Sequence, residues 1–214
     1  MGQQEYQPDL VLDFWFPDTG HQHDPERHMA FWDERMHGGM DAAIISRFAG
    51  LTRAAATGAL DHWADTPRGR LALLIALDQF PRSLWRDTPA AFGQDIKAAR
   101  LARHGIDNGD FDGLAPWEQT FFVIAISHCE GPEHLERMRQ LEPVIDTIVS
   151  RLPEAIRPAG EQLWAQHRRV SAIIERFGRH PHRNAVLGRC STPEEDAYVA
   201  DGDFPHLRRP SQAS

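Results

Sequence analysis

Two short segments of the sequence, residues 71–77 and 121–126, are apolar on every side. A helix of that kind must be packed all round, so both segments are expected at the centre of a folded domain. Each run has seven residues or fewer, whereas a helix that crosses a bilayer needs about 20 apolar residues. The sequence therefore predicts a globular core, with no membrane-spanning segment and no membrane partner.

Helix start and stop signals surround these segments and recur along the chain. The dipeptide Thr-Pro opens three apolar-periodic stretches, at Thr66, Thr88 and Thr192. Threonine can accept hydrogen bonds from the free amides of a first turn, and proline at the first helical position loses no bond. Glycine closes a helix at little steric cost. It follows three such stretches, at Gly58, Gly105 and Gly178.

These signals predict an all-α protein, since no segment alternates apolar and polar residues as a strand does. Short connections favour antiparallel neighbours, so we expect stacked antiparallel helical hairpins with about eight or nine helices. Pro143 lies inside one predicted helix and should kink it or split it in two. A single domain is predicted for residues 8–206, with flexible ends at 1–7 and 207–214. The predicted helices cover residues 8–16, 25–36, 40–57, 67–80, 89–104, 116–129, 133–151, 160–177 and 193–200.

The charge balance excludes one class of partner. With 23 basic and 31 acidic residues, the formal net charge is −8, which argues against nucleic acid as a partner. Two cysteines, Cys129 and Cys190, are too few for a disulfide framework, and no apolar signal segment opens the sequence. These features predict a cytoplasmic protein.

Polar residues end both apolar segments, and a third polar segment is strongly basic. The first segment runs into Asp78, which is followed by Arg82, and the second is followed by His128 and Glu130. Residues 176–189 hold four arginines, two histidines and no carboxylate. An arginine can hold a planar anion through two parallel hydrogen bonds. We therefore expect a site for a small carboxylate or phosphate where these helix ends meet.

In this hypothesis, arginines from distant segments converge on one pocket and leave guanidinium groups unpaired, whereas pocket-facing arginines that are all tied to carboxylates or helix carbonyls would contradict it. Histidine supplies the acid or base, because it titrates nearest neutral pH, and a carboxylate, Glu130 or Asp78, orients it. The candidate catalytic residues are His128, His182 and Glu130. The candidate ligand-binding residues are Asp78, Arg82, Arg179, Arg183 and Asn184.

Each of these features also has a structural interpretation. Asp78 and Arg82 can form a local ion pair, and His128 can be a hydrogen-bonded core residue. The basic loop at 179–184 can bond the unpaired carbonyls that end each helix. A different hypothesis is a protein-interaction module, in which stacked hairpins bind a peptide and the acidic surface favours a basic partner. The histidines show no defining metal-ligand spacing, so no metal and no cofactor is predicted.

Several strings in the sequence resemble those of a bacterial family of unknown function. Two are long, Leu77-Asp78-Gln79-Phe80-Pro81-Arg82 and the nine residues RFGRHPHRN at 176–184, and shorter ones lie at 10–16 and 88–95. The resemblance covers about residues 8–200 and implies an all-helical fold of the tetratricopeptide-like superhelix class. It implies no particular reaction. The chain departs from the family at Cys129, where serine is usual, and at His180, where an aromatic residue is usual.

Overall fold

The computed structural model describes residues 6–202, and this part of the chain contains α-helices and short 3-10 turns but no strands. Only Gln79 separates the fourth helix from the fifth, so the described residues have nine helical segments when that interrupted pair is counted once. The prediction of an all-α fold with eight or nine helices is confirmed. The helices are α1 (Pro8–Trp15), α2 (Pro25–Met36), α3 (Asp41–Ala56), α4 (Pro67–Asp78), α5 (Phe80–Leu84), α6 (Asp95–Asp107), α7 (Pro116–His128), α8 (His134–Ser150), α9 (Ala159–Phe177) and α10 (Pro193–Ala200).

The predictions for the chain ends fall partly outside this range. The predicted flexible end at 207–214 and the last residues of the predicted domain lie beyond the described residues. At the other end, Tyr6 packs against the apolar core, and its hydroxyl is 2.5 Å from the position that a Cβ on Gly50 would take. No helix in the described part of the chain is long and apolar enough to cross a bilayer.

The sequence signals for helix ends act as predicted at several places. The Thr66 hydroxyl accepts a hydrogen bond from the Gly69 amide at 3.1 Å and so caps α4. At the start of α10, Thr192 and Glu195 each accept from the other's backbone amide, at 3.2 and 2.9 Å, which is a capping box. Gly178 has φ +70° and ends α9 in the left-handed conformation.

Two predicted helices differ from the structure. The predicted helix at 89–104 is wrong at its start, because Pro89–Phe92 form a 3-10 turn and α6 begins only at Asp95. Thr88 does not cap this turn, since its hydroxyl donates to the Trp85 carbonyl at 2.6 Å. Pro143 lies inside α8, which runs from His134 to Ser150, so the proline does not split this helix; the predicted kink stays a prediction.

The two apolar helices form the centre of the domain, as the sequence predicts. All residues of α4 from Gly69 to Asp78 are buried, and α4 packs against α1, α3, α6 and α7. The second apolar helix, α7, packs against α6 and α8 as well. The tetratricopeptide-like path of the chain stays a prediction, because these contacts do not test it. Both central helices end in polar residues, Asp78 and His128, and the candidate site begins there.

Gly105 serves close packing rather than the end of a helix. It lies within α6, which continues to Asp107, and a Cβ at this position would come within 2.5 Å of Arg70 Cδ and 2.8 Å of Phe122 Cε1. Arg70 cannot easily move away, because its guanidinium donates to Asp110 at 2.7 Å. The helix α6 therefore approaches the two central helices through a contact that only glycine permits.

Replacing Gly105 by alanine is expected to destabilise the protein by about 1–3 kcal/mol, because the extra methyl overpacks this contact. The sign is diagnostic, since alanine ordinarily stabilises the interior of a helix relative to glycine. The measurement is urea unfolding, with Gly113→Ala as the control, because no heavy atom lies within 4 Å of a Cβ built at Gly113. Equal stability of Gly105→Ala and the parent protein would contradict the close approach.

Candidate functional site

A cavity of about 550 Å³ lies beside the ends of α4 and α7. One wall is a face of α7, from Trp117 through Thr120 and Ile124 to His128, and other walls come mainly from α2, α5 and α9. The lining is mostly apolar, and polar side chains gather near His128. Small-molecule sites commonly have volumes of about 300–1,000 Å³ and this mixture of an apolar lining with a few polar groups.

The first polar feature is the pair formed by Asp78 and His128. Asp78 is 1% exposed, and its two carboxylate oxygens lie 2.9 and 3.1 Å from His128 Nδ1. The same carboxylate accepts a hydrogen bond from the Gln79 side chain and forms an ion pair with Arg82 at 3.4 Å. A carboxylate in this position favours the tautomer with the proton on Nδ1, so His128 can act on a molecule in the cavity through Nε2. This is the geometry of a general acid or base with a positioning carboxylate.

The second feature is a buried carboxylate shared by two arginines. Asp95, the first residue of α6, accepts from Arg82 Nη2 on one oxygen and from Arg183 Nη1 on the other, each at 2.9 Å. The Arg183 guanidinium carbon also lies 4.5 Å from the centre of the Phe92 ring, a distance typical of a cation–π contact. Arginines from distant segments therefore converge at the cavity, but the expectation of unpaired guanidinium groups is not met for this pair, because Arg82 and Arg183 both bind Asp95.

Arg183 keeps donors that these contacts do not use. The residue is 4% exposed and lines the cavity, and its Nη1 also donates to the His128 carbonyl at 2.9 Å. A guanidinium carries five N–H groups. Within the described residues Nε is buried without a hydrogen-bond partner and Nη2 makes no hydrogen bond. Burial lowers the pKa of Arg183 from its ordinary value, and the neighbouring Asp95 opposes that shift.

A second polar group, which the sequence analysis did not identify, lies at the rim of the cavity. The Ser83 hydroxyl donates to an Asp41 oxygen at 2.6 Å, and Arg86 Nη2 binds the other oxygen of the same carboxylate. All three residues line the cavity. Asp41 belongs to α3, whereas Ser83 and Arg86 follow the LDQFPR string, so only the packing of α3 on α5 brings them together.

Four predicted site residues do not line the cavity: Asp78, which bonds His128, and also Arg179, Asn184 and Glu130. Arg179 binds both oxygens of Glu195, at 2.7 and 2.8 Å, and the Asn184 side chain donates to Glu195 at 3.2 Å. Glu130 accepts from the His180 amide at 2.6 Å and from Arg189. Burial alone would raise the pKa of Glu130, but these hydrogen bonds hold it below its usual value.

The contacts of Arg179, Asn184 and Glu130 thus fasten the basic loop to α10 and to the end of α7. Within the described residues Glu130 makes no hydrogen bond to a histidine ring, whereas Asp78 bonds His128. The structure favours the structural interpretation for these three residues. Among the predicted residues, Arg82, His128, His182 and Arg183 line the cavity. Asp78 does not line it but bonds His128 and pairs with Arg82.

Two further histidines lie against the same helix end in neutral form. His134 Nε2 and His180 Nε2 both face the Ser127 carbonyl, at 2.8 and 3.3 Å. A carbonyl only accepts, so each ring carries its proton on Nε2 and presents Nδ1 as an acceptor. Burial lowers the pKa of His134 to about 4 and that of His180 well below its ordinary value. His180 lines the cavity, with the ring of His182 5.4 Å from its own.

The far end of the cavity is aromatic. Trp32 Nε1 donates to His28 Nε2 at 2.9 Å, so His28 carries its proton on Nδ1 and donates it to His21 Nδ1 at 3.1 Å. The His21 ring lies 5.4 Å from that of Trp117. Both histidines are 3% exposed. From the sequence, His21, His23 and His28 are expected to be solvated in a polar loop; this is wrong for His21 and His28, which pack against aromatic rings, whereas His23 is exposed.

Comparison with known proteins places the chain in a family. A family model described as a bacterial protein of unknown function (DUF924) matches residues 11–203. The chain belongs to the DUF924 family. A solved structure of a protein of unknown function from Agrobacterium tumefaciens superposes with a TM-score of 0.61 at 29% sequence identity. The match covers 91% of this chain and 97% of the other. No curated protein matches the sequence.

The whole candidate site lies within the DUF924 domain. The residues that surround the polar end of the cavity fall between 41 and 183, inside the matched range. In the described residues, no group of three or more histidine, cysteine, aspartate or glutamate side chains is placed to hold a metal ion. The resemblance to a bacterial family of unknown function is confirmed.

Proposed function

We propose that the cavity binds a small molecule that carries a carboxylate or a phosphate, and that Arg183 contacts this anionic group. The observation that carries the proposal is the arrangement of Arg183. Asp95 and the His128 carbonyl hold one edge of its guanidinium in place, while Nε and Nη2 make no hydrogen bond within the described residues. A fixed cation with unused donors at the wall of a cavity is a suitable partner for a planar anion.

The charges around Arg183 allow an anion to bind there but do not attract every anion strongly. Arg82 and Arg183 together are balanced by Asp78 and Asp95, so the polar end carries no large excess of positive charge. Discrete hydrogen bonds to Arg183 therefore matter more than long-range attraction. Because buried polar groups lose their water, a ligand that fills these donors gains more than it would at the surface.

His128 and His182 are the candidate proton donors or acceptors for such a ligand, with Asp78 as the positioning residue of His128. Arg183 bonds the backbone of His128, so an anionic group held by Arg183 lies close to this histidine. We place the protein in the cytoplasm, since Cys129 and Cys190 form no disulfide in the described structure and reduced thiols suit that compartment.

A protein-interaction module is the second candidate, and no particular feature favours it. The exposed large apolar side chains are 49–59% exposed and lie singly on four different helices. They are Leu10, Met29, Ile45 and Ile96. Isolated apolar residues of this kind are ordinary on soluble proteins.

The test is thermal unfolding with and without inorganic phosphate and butyrate, in the parent protein, Arg183→Met and Arg179→Met. A ligand at 100 times its dissociation constant adds about 2.7 kcal/mol, which is about 5–10 °C for a chain of this size. We expect at least one probe to raise the melting temperature of the parent and of Arg179→Met but not that of Arg183→Met. Arg179→Met is the matched control, since Arg179 lies in the same loop but off the cavity. Equal shifts in all three proteins, or no shift in any, would count against the proposal.

A further inference from the structure

The cavity is long rather than round, and its length follows from α7. Trp117 near the start of this helix and His128 at its end both line it. They are eleven positions apart, which at 1.5 Å per residue makes the groove about 16 Å long. The residues between them that line it are Thr120, Val123, Ile124 and Ser127, at the three- and four-residue spacing of one helix face. The lining residues of α9 span the same length, from Ala159 to Val170.

The two ends of this groove differ in chemistry. One end carries Arg183, Arg82 and His128, and the other carries Trp117 with the hydrogen-bonded pair Trp32 and His28. Between them the groove is lined by apolar side chains of several helices, including Met40, Ile44, Val123, Ile124, Leu163 and Val170. The groove therefore has a cationic head and an apolar body.

The polar groups that α7 and α2 contribute to the body are used within the protein. The Thr120 hydroxyl donates to the Pro116 carbonyl at 3.1 Å, and the Ser127 hydroxyl donates to the Val123 carbonyl at 2.7 Å. Arg35, which also lines the groove, donates to the Trp15 and Phe31 carbonyls at 2.7 and 2.9 Å. The wall formed by α9 adds polar side chains, including Gln162, Gln166 and His167, and His167 Nδ1 is buried without a hydrogen-bond partner in the described residues. A ligand that lies along α7 therefore meets few groups on that wall that need a hydrogen bond, whereas the α9 wall offers several.

We infer that the ligand is a straight-chain acyl carboxylate, with its carboxylate on Arg183 and its hydrocarbon chain along α7 toward Trp117. This inference rests on the proposed function, since it uses the same anion-binding end. An extended peptide of the same length would bring about five residues, and those of its amide groups that face α7 would be buried without partners. A hydrocarbon chain has no such requirement and gains free energy for each methylene that it buries.

The experiment measures dissociation constants by calorimetry for straight-chain monocarboxylates from acetate to palmitate, below their micellar concentrations, and for the matching alcohols. We expect the affinity of the acids to rise about fourfold per methylene until the chain fills the groove, and then to level off. The alcohols should bind more weakly than the acids of equal length. Arg183→Met should remove that difference while the dependence on chain length remains.

Two variants test the path of the chain. Ile124→Trp fills the middle of the groove and should move the plateau to shorter acids, while acetate and butyrate bind as before. Leu163→Trp fills the groove from α9 and should shift the plateau in the same way. It replaces the first variant if Ile124→Trp fails to fold. Ile45→Trp is the control, because Ile45 is 49% exposed on α3 and does not line the groove.

The outcomes separate the inference from the proposed function. If short acids and phosphate bind but longer chains bind no better, the acyl inference is overturned and the anion site stands. If alcohols bind as tightly as acids, the apolar groove stands and the proposed anion site fails. If neither class binds, both fail. Tighter binding of aromatic acids or of short peptides than of any straight-chain acid would also overturn the inference.

Discussion

Asp95→Ala is expected to lower the free energy of unfolding by about 3–5 kcal/mol, because it leaves the buried Arg183 guanidinium without a carboxylate and removes one of the two carboxylates that pair with Arg82. Asp95 is 5% exposed and binds Arg82 and Arg183 on its two oxygens, each at 2.9 Å. Arg82 retains Asp78 at 3.4 Å, whereas Arg183 loses its ion pair entirely. In thermal unfolding this loss corresponds to a fall of about 10 °C for a chain of this length.

The matched control for this substitution is Asp107→Ala in the same helix. Asp107 is 59% exposed and lies 3.9 Å from Arg103, so its removal should change stability by less than about 1 kcal/mol. The double variant Asp95→Ala with Arg183→Met should be more stable than Asp95→Ala alone, because it removes the orphaned charge. If Asp95→Ala proved as stable as Asp107→Ala, Asp95 would not be the centre of the cluster.

Acidification from pH 6.5 to pH 4 is expected to destabilise the protein by about 3 kcal/mol for each of two buried histidines. Burial lowers the pKa of His28 and of His134 to about 4. As the pH falls below 6.5, the unfolded chain takes up protons at these rings while the folded protein does not, so stability is lost across this window. The hydrogen bond from Trp32 to His28 Nε2 gives an independent reason, because protonation of that nitrogen breaks it.

Urea unfolding at several pH values between 7 and 4 measures this effect in the parent protein, His28→Gln, His134→Gln and the double variant. Each single substitution should remove its own share of the decline, about 3 kcal/mol, and the double variant should remove both shares but keep a smaller decline, because burial also lowers the pKa of His21, His167 and His180. The four proteins are compared by the slope of the unfolding free energy against pH. A loss of stability that is the same at every pH therefore does not affect the comparison. Parallel profiles in all four proteins would show that other groups cause the acid sensitivity.

The sequence predicts the helices well because their signals are local. Capping at Thr66, the capping box at Thr192 and the turn at Gly178 involve residues within a few positions, and the structure contains them all. The burial of the two central helices also follows from composition alone. The exception is instructive: Thr88 precedes a proline as Thr66 does, but its hydroxyl turns back to Trp85, and the α-helix starts later.

The candidate site is predictable only in part, because its members are joined by tertiary contacts. The sequence correctly identifies polar ends on the two central helices, and these ends meet as the Asp78–His128 pair. It cannot separate Arg179 from Arg183, which lie four residues apart in one loop and take different partners, Glu195 and Asp95. Asp95 itself carries no local sign of its role, since α6 reaches both arginines only after packing on α4.

The bond between Asp95 and Arg183 joins residues 88 positions apart in the chain, and this separation has a consequence for synthesis on the ribosome. The apolar centre, including α4 and α7, emerges first and can begin to collapse while the basic loop is still being translated. Closing so long a loop is entropically costly and tends to come late in folding. The polar end of the cavity is therefore completed only after residue 183 has been translated, and a nascent chain that stops before this residue lacks the guanidinium that is proposed to contact the ligand.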